Sequence, residues 1–319
     1  MKNREEFVGG RLSNTTPSCI SCGSRQIRFV GLIPDAHLFA GAPRHPLPGG
    51  QLWQCPECRL GFRYPRMAKA QMNGLYSEAP GTAWRYRFDD RPDWLIARRW
   101  ISEVAVRSLD ILDVGCADGR FLIDGVDAHH RRYGIEINPI SSTAASFAGV
   151  KVVGKTLEDL AAGPDRQFDV ITAFDVLEHV FDPRDFVLQA TRLLREGGRL
   201  IVATGDLSAA TFRFMGAAYW YASIAEHISF ISMDWCEAAS RVVGLRLARH
   251  ERFAHQSGKF FTKLRQTVAN AFYRVSPSTY SLLRQNFFRA KLTHNADHID
   301  AGPPSWMTAQ DHIIVEFIR

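Results

Sequence analysis

The amino-acid sequence predicts an α/β fold, because short apolar runs alternate with segments predicted to be helical. Five runs have the length of a buried strand: residues 111–114, 132–137, 150–153, 168–174 and 199–203. A glycine-bearing turn joins the first run to a helix that begins at Arg120, and a further helix is predicted over residues 185–195. Strands that alternate with helices are typical of a sheet covered by helices on its faces.

The turn after the first strand is the most informative segment. It reads Asp113-Val114-Gly115-Cys116-Ala117-Asp118-Gly119. Gly115 and Gly119 can adopt backbone angles that other residues avoid, so a ligand can approach the main chain closely. We expect the free N–H groups at the start of the next helix to face that ligand. The glycine spacing differs from the G-x-G-x-x-G turn of dinucleotide-binding proteins, which disfavours a dinucleotide oxidoreductase.

Glu136 ends the second predicted strand. It follows Asp113 by roughly 20 residues, the offset at which an acidic side chain meets the ribose hydroxyls in a βαβ unit. A carboxylate can accept hydrogen bonds from both hydroxyls at once. The alternative is a solvated glutamate at a strand end, which its position relative to the glycine turn disfavours.

Four segments, in this order, resemble the class I S-adenosylmethionine-dependent methyltransferases. They are the turn at 113–119, the strand ending at Glu136, the motif Asp175-Val176-Leu177-Glu178-His179-Val180, and the helix, glycine stop and strand over 193–203. The resemblance spans roughly residues 100–250. It implies a Rossmann-like seven-stranded methyltransferase sheet and S-adenosyl-L-methionine as methyl donor. It also implies these cofactor-binding residues: Asp113, Gly115, Ala117, Gly119, Glu136, Leu157, Glu158 and Phe174. Many relatives carry a glycine where this chain has Ala117.

Two C-x-x-C pairs near the N-terminus, Cys19/Cys22 and Cys55/Cys58, predict a zinc ribbon. Four thiolates occupy all four positions of a tetrahedral zinc site, so the Zn²⁺ would be structural rather than catalytic. A disulfide or a redox pair is the alternative. The Pro- and Gly-rich residues between the pairs are expected to form one long turn. The continuation over residues 58–76 resembles the zinc-ribbon leader of a bacterial methyltransferase subfamily.

These patterns divide the chain into three parts. Residues 1–76 form the zinc-ribbon module, 77–105 a helical lid or linker, and 106–319 the methyltransferase domain, with a helical insertion at about 256–305. The sixth and seventh strands, predicted at 245–249 and 312–317, flank this insertion. Its apolar and basic residues interleave at near-helical spacing, which predicts amphipathic helices that pack over the sheet. The alternatives are a cap that shapes the acceptor site or a peripheral contact with a membrane surface through 256–292.

His227 and His179 are the candidate general bases. His179 follows the fourth strand at the edge of the sheet where ligands bind, and His227 lies in a segment that resembles the E-H-x-x-F motif near the acceptor pocket of the family. A hydrogen-bonded structural histidine is the alternative for each. Tyr219 and Tyr221 are secondary candidates. The resemblance to ubiquinone-pathway O-methyltransferases raises a third reading, in which Asp175, Glu178 and His179 bind a divalent metal.

Composition limits the partners. The net charge of +6 weakly favours anionic partners such as nucleotide-linked sugars, acidic lipids or RNA. The first residues lack an apolar signal region, and Glu226 and His227 interrupt the longest apolar stretch, so we expect a cytoplasmic protein without a membrane span.

The predicted function is methylation of a small molecule or glycan precursor at oxygen or carbon, with a sugar-type acceptor such as a nucleotide-linked sugar. The alternatives are an RNA methyltransferase that docks through the ribbon, a quinol-type O-methyltransferase and a non-catalytic cofactor-binding protein. Nucleic acid is disfavoured, because the fourth-strand motif lacks the Asn/Asp-Pro-Pro-Tyr pattern.

Overall fold

The computed structural model describes residues 16–40, 42–81, 85–163, 166–289 and 302–319. The N-terminal part contains the elements β1 (Arg28–Leu32), β2 (Ala36–Phe39), β3 (Ala42–Leu47), β4 (Gln51–Gln54), β5 (Gly61–Tyr64) and α1 (Lys69–Glu78). Strands β1, β4 and β5 form an antiparallel sheet, and β2 pairs with β3 as a separate hairpin. The prediction of one long turn between the cysteine pairs is therefore wrong. The segment around Gly49 and Gly50 reverses the chain between β3 and β4, and Asp35 accepts the Gly49 N–H at 2.8 Å.

The central part begins with a short 3-10 turn at Phe88–Asp90 and the helix α2 (Pro92–Ser102). It then alternates strands and helices: β6 (Asp110–Val114), α3 (Arg120–Asp124), β7 (Arg131–Ile135), α4 (Pro139–Phe147), β8 (Lys151–Gly154), α5 (Leu157–Ala161), β9 (Phe168–Phe174), α6 (Pro183–Leu193) and β10 (Leu194–Gly205). The remaining elements are α7 (Ala210–Met215), β11 (Ser229–Phe230), α8 (Met233–Val243), β12 (Arg246–Phe253), α9 (Phe260–Val275), α10 (Pro277–Arg289) and β13 (His312–Ile318).

Seven strands form the central sheet in the order β12-β13-β10-β9-β6-β7-β8. β13 runs antiparallel to both of its neighbours, β10 and β12, whereas the pairs from β10 to β8 are parallel. Every residue of β6 is buried, as are the first six of β9, which explains why these strands are continuous apolar runs in the sequence. The predicted Rossmann-like seven-stranded sheet is confirmed.

Helix α6 differs from the prediction at both ends. Helix α6 begins at Pro183 rather than residue 185, because the Asp182 carboxylate caps it by accepting the N–H groups of Arg184 and Asp185. The glycine stop after this helix is instead the irregular start of β10. Leu194 pairs with Phe168, and the register then shifts before Arg199.

The predicted helical insertion before the last strand is confirmed as α9 and α10, whereas residues 290–301 of that prediction lie outside the described residues. Trp84 of the predicted lid also lies outside them. The ribbon and the methyltransferase part share one sheet, because β11 pairs antiparallel with β5. Helix α1 runs across the predicted boundary at residue 76, and the three domain ranges stay a prediction. Within the described residues, no helix is long and apolar enough to span a membrane.

Candidate functional site

A cavity of about 1510 Å³ opens where β6, β7 and β9 end, the edge at which ligands bind in open α/β sheets. Seven of the eight predicted cofactor-binding residues line it: Asp113, Gly115, Ala117, Glu136, Leu157, Glu158 and Phe174. Both predicted histidines, His179 and His227, line it as well. The structure therefore brings the donor and acceptor halves of the predicted site into one cavity.

The glycine turn takes left-handed backbone angles at three positions: φ is +73° at Gly115, +47° at Ala117 and +80° at Gly119. The angle at Ala117 explains why glycine suits this position. A Cβ atom on Gly119 would lie 2.8 Å from the Val150 side chain, so the residue is required by packing as well as by φ. Gly119 does not line the cavity, and it contributes by shaping the turn.

Three N–H groups of the turn itself donate within the protein, whereas the expectation that the N–H groups at the start of α3 face a ligand stays a prediction. The N–H groups of Gly115 and Cys116 donate to the Ile135 carbonyl at 2.8 and 3.0 Å. The Ala117 N–H donates to Glu136 Oε2 at 2.9 Å. The tight turn folds back onto the end of β7, which satisfies these donors within the protein.

Glu136 is 7% exposed and holds the turn and the next helix together. Its Oε2 atom accepts from Ala117, and its Oε1 atom accepts from the Asn138 N–H at 2.7 Å. Because a carboxylate oxygen has two lone pairs, each can accept one further hydrogen bond from the cavity. Burial raises the pKa of Glu136, and the backbone hydrogen bonds oppose that rise. This carboxylate fits the vicinal hydroxyls of a ribose.

Asp113 is the second buried carboxylate of the turn, at 3% exposure. Its Oδ1 atom accepts the Thr172 hydroxyl at 2.7 Å. Burial raises the pKa of Asp113 to about 7, and the nearby Glu136 charge adds to the rise, whereas the Thr172 hydrogen bond opposes it. A cationic amino group in the cavity would stabilise the ionised carboxylate. The pair Asp113 and Glu136 therefore fits a ligand with an amino end and a ribose.

We expect the Asp113→Asn variant to be more stable than the wild type at pH 8 when no ligand is present. The folded-state pKa of about 7 lies above the ordinary pKa of 3.8. The contribution of Asp113 to the free energy of unfolding is therefore fully present below pH 3.8 and is lost as the pH rises through 7. The stability difference should therefore shrink as the pH falls from 8 towards 4. Thermal denaturation across this range measures it, with the exposed Asp127→Asn as control. A difference independent of pH would contradict the raised pKa.

Leu157 and Glu158 begin helix α5 and line the cavity. Leu157 is 4% exposed and packs into the core beside the cavity. The Glu158 carboxylate lies 2.5 Å from the Lys69 ammonium of α1, and both side chains are about half exposed. Phe174 packs edge-on against Phe121, with ring centroids 4.6 Å apart. These three residues provide an apolar wall with one charged pair at its rim.

His227 is buried and has a defined tautomer. Its Nδ1 atom lies 2.9 Å from the Tyr221 carbonyl oxygen, which can only accept, so Nδ1 carries the proton. No hydrogen bond occupies its Nε2 atom within the described residues. Burial, followed by the neighbouring His179, lowers the pKa of His227 well below its usual range. A neutral imidazole with an available Nε2 lone pair is what a general base requires.

His179 supports the loop that carries His227. Its Nδ1 atom lies 3.1 Å from the Glu226 carbonyl oxygen and 2.8 Å from the Tyr76 hydroxyl of α1. The rings of His179 and His227 have centroids 4.8 Å apart. Burial lowers the pKa of His179, and Glu226 opposes that shift. The two predicted histidines are therefore neighbours, and His179 also contacts the helix that covers the cavity.

Sequence reasoning missed Arg63 of β5. This buried side chain donates to four carbonyl oxygens: Gly49 at 2.7 Å, Ala222 at 2.6 Å, Ile224 at 2.8 Å and His227 at 3.0 Å. Three of these belong to the loop that ends at His227. A residue of the ribbon thus fixes the backbone of the candidate base. No local motif marks it, because its partners lie far away in sequence.

Sequence reasoning also missed Arg91, which precedes α2. It is buried and donates to both Asp93 oxygens, at 2.9 and 2.5 Å, and to Asp175 Oδ2 at 2.8 Å. Asp175 follows β9 with a φ of +52°, a conformation that Asp tolerates better than most residues. Its Oδ1 atom is buried and has no hydrogen-bond partner within the described residues.

The metal set weighed from the sequence, Asp175 with Glu178 and His179, falls into two clusters. Glu178 is fully buried and accepts the Tyr221 and Thr204 hydroxyls, both at 2.8 Å. It lies with His179 and His227, whereas Asp175 lies with His255 and His312. The two secondary candidates use their hydroxyls within the protein. Tyr221 donates to Glu178, and Tyr219 donates to Asp311.

The four ribbon cysteines converge as predicted. Their Sγ atoms all lie within 4.8 Å of one another, and the closest pairs are Cys19/Cys58 at 3.5 Å and Cys22/Cys55 at 3.6 Å. These distances are too long for disulfides and match the edges of a thiolate tetrahedron around an ion with metal–sulfur bonds of about 2.3 Å. The donor set therefore fits zinc.

Comparison with known proteins agrees with this geometry. A family model described as a methyltransferase domain matches residues 83–250. The ubiquinone biosynthesis O-methyltransferase of Marinobacter nauticus is 34% identical over 119 residues, which are 34% of this chain and 50% of that protein. The enzyme of the same name from Klebsiella pneumoniae is 33% identical over 100 residues, 30% of this chain and 41% of that protein. The chain spans about half the length of the curated relatives it matches.

Among solved structures, the complex between the Haloferax volcanii Trm112 methyltransferase activator and a methyltransferase contains a similar fold. The match has a TM-score of 0.51 at 14% identity and covers 77% of this chain and 96% of that chain. The family match spans more than half of the chain, and the sheet order and the strand-end cavity are those expected for it. The chain therefore belongs to the methyltransferase-domain family, and its central sheet has the Rossmann-like methyltransferase fold.

Proposed function

We propose that this enzyme methylates an oxygen atom of a small-molecule acceptor and that His227 is the general base. The observation that carries the proposal is the neutral His227 imidazole in the wall of the cavity, with its proton fixed on Nδ1 by the Tyr221 carbonyl. An acceptor hydroxyl must lose its proton as its oxygen is methylated, and a positioned neutral histidine suits this step. The names of the relatives, O-methyltransferases, agree with an oxygen acceptor.

S-adenosylmethionine supplies a methyl carbon bonded to a sulfonium sulfur. In the proposed complex, Glu136 accepts hydrogen bonds from the ribose, Asp113 supports the amino end, and Leu157 covers the adenine. The acceptor oxygen bonds to the methyl carbon while the carbon–sulfur bond breaks, and the hydroxyl proton passes to His227 Nε2. The main task of the protein is alignment of oxygen, carbon and sulfur without water.

The acceptor end of the cavity is aromatic, because Tyr76, Trp220 and Tyr221 line it. An aromatic wall suits the face of a ring-shaped acceptor. A ring that carries hydroxyl groups, as in a nucleotide-linked sugar or a quinol, would meet both this wall and the proposed base His227.

A quinol-type acceptor is the second candidate, and two observations favour it over RNA. The relatives are named for ubiquinone biosynthesis. In addition, helix α9 exposes apolar side chains beside basic ones, with Phe260 72% exposed and Phe261 80% exposed. Exposed aromatics next to lysines and arginines suit contact with an anionic lipid surface, where a long-tailed quinol would reside.

A transfer assay with isotopically labelled S-adenosylmethionine tests these proposals. Nucleotide-linked sugars, soluble short-chain quinols and RNA are offered in parallel, and the labelled product is located by mass spectrometry. The proposal predicts a label on oxygen in one of the first two groups. Exclusive labelling of RNA, or of a nitrogen or carbon atom, would contradict it.

We also propose that Zn²⁺ occupies the four-cysteine site and stabilises the ribbon. The distances between the Sγ atoms support this, and such sites contribute directly to folding. We expect elemental analysis to show that the Cys55→Ser variant holds one zinc per chain fewer than the wild type, and we expect this variant to unfold at a lower temperature. The buried Cys236→Ser is the matched control, because it should keep the metal. Zinc retained in full by Cys55→Ser would refute the assignment.

A further inference from the structure

Three side chains outside the proposed base and donor sites meet in the wall of the cavity. Asp175 follows β9, His255 follows β12 and His312 begins β13. One ligand atom from each lies within 4.8 Å of the other two. We infer that Asp175, His255 and His312 form a binding site for a divalent first-row transition-metal ion.

The two imidazoles are arranged as metal ligands. The Nε2 atoms of His255 and His312 face each other at 3.0 Å. Ligands about 2.0–2.2 Å from one ion are separated by roughly 3.0–3.5 Å, so this spacing matches two positions of one coordination sphere. Two imidazoles and one carboxylate are a ligand set that binds iron, cobalt or zinc and leaves positions open.

The outer contacts orient these ligands. Asp311 Oδ1 lies 2.8 Å from His312 Nδ1, which holds the proton on Nδ1 and leaves Nε2 as a lone pair towards the ion. The second Asp311 oxygen accepts the Tyr219 hydroxyl, so this carboxylate is itself fixed. A histidine that binds a metal through one ring nitrogen typically donates the N–H of its other ring nitrogen to a carboxylate in this way.

Asp175 offers a carboxylate oxygen that nothing else uses. Arg91 donates to Oδ2 at 2.8 Å, whereas Oδ1 is buried and unpaired within the described residues. An unpaired buried carboxylate oxygen is costly, and a cation there would satisfy it. The ligands and their hydrogen-bond partners include three carboxyl groups, Asp93, Asp175 and Asp311, beside the Arg91 guanidinium. This excess of acidic groups suits a cation.

The site lies beside the proposed base. The Tyr221 ring is 4.2 Å from the His227 ring and 5.2 Å from the His312 ring, centroid to centroid. An ion there would bind an acceptor hydroxyl through an open position and lower its pKa before His227 takes the proton. This role rests on the proposed function, whereas metal binding itself does not. The site shares only Asp175 with the metal set weighed from the sequence.

Cobalt titration tests the site in the full chain. With zinc held by the ribbon thiolates, Co²⁺ should bind as one further equivalent, with the weak visible absorption of nitrogen and oxygen ligands and no thiolate charge-transfer band. We expect the His255→Ala and His312→Ala variants to bind this cobalt at least about 100-fold more weakly, and Asp311→Asn about 10- to 100-fold more weakly. The exposed His250→Ala on β12 should match the wild type.

If the buried His312 cannot be replaced without unfolding, the half-buried His255→Gln and Asp175→Asn answer the same question, since Asn also tolerates the positive φ of this position. No further equivalent of cobalt in a folded chain, or unchanged affinity in the His255 variants, would overturn the inference and leave a hydrogen-bonded histidine pair. Neither donor nor acceptor is present in this titration, so its failure leaves the proposed base reaction intact.

Discussion

Replacing His227 with alanine should slow methyl transfer by about 10²- to 10⁴-fold, the range that general bases contribute, while the affinity for the methyl donor stays unchanged. The imidazole lies on the acceptor side of the cavity, and its hydrogen bond to Tyr221 involves the backbone rather than the donor turn. Single-turnover rates with labelled donor measure the first quantity, and calorimetry with S-adenosylhomocysteine the second.

The pH profile separates a base from a purely structural histidine. Because the pKa of His227 is lowered well below its usual range, the wild-type rate should stay high down to mildly acidic pH. The fall in rate that protonation of His227 causes at more acidic pH should be missing in the His227→Ala variant. The exposed His129→Ala variant should change neither the rate nor its pH profile. A His227→Ala enzyme with wild-type turnover would show that the proton goes elsewhere.

The Arg63→Met variant should be less stable than the wild type by at least about 3 kcal/mol, because four buried carbonyl oxygens lose their donor. Three of these carbonyls belong to the loop that ends at His227. We therefore also expect turnover to fall at least about 10-fold at a temperature where the variant is folded, with the affinity for S-adenosylhomocysteine retained.

Urea denaturation and single-turnover kinetics measure these two effects. Arg28→Met is the matched control, since this arginine is exposed on β1 of the same ribbon and donates to the Gln54 side chain rather than to a buried carbonyl. A variant that loses donor affinity and turnover in parallel would indicate general damage. Unchanged turnover would mean that the ribbon does not position the loop.

The central sheet could be predicted because its inner strands are buried on both faces, so β6 and β9 appear as continuous apolar runs. Asp113 and Glu136 could be located as well, since a βαβ unit fixes the offset between its strand ends. Helix α6 was misplaced by two residues because the Asp182 cap competes with other acidic residues nearby. The cap is recognisable only when its hydrogen bonds are seen.

The acceptor side could be predicted only in part, because its contacts join distant parts of the chain. Arg63 reaches the His227 loop because β11 pairs with β5 of the ribbon sheet. No periodicity in the sequence indicates this pairing. His255 and His312 are neighbours because β12 and β13 pair across the whole helical insertion. Arg91 meets Asp175 only after α2 has packed against the sheet.

The account depends most on the claim that the turn from Asp113 to Gly119, together with Glu136, binds the methyl donor. Calorimetry with S-adenosylhomocysteine on the folded wild-type chain tests it directly, compared with Glu136→Ala and with the exposed Glu196→Ala. We predict binding at one site per chain, weakened about 10- to 100-fold by Glu136→Ala and unchanged by Glu196→Ala. No binding to the folded wild type, or equal affinity in all three proteins, would contradict the account.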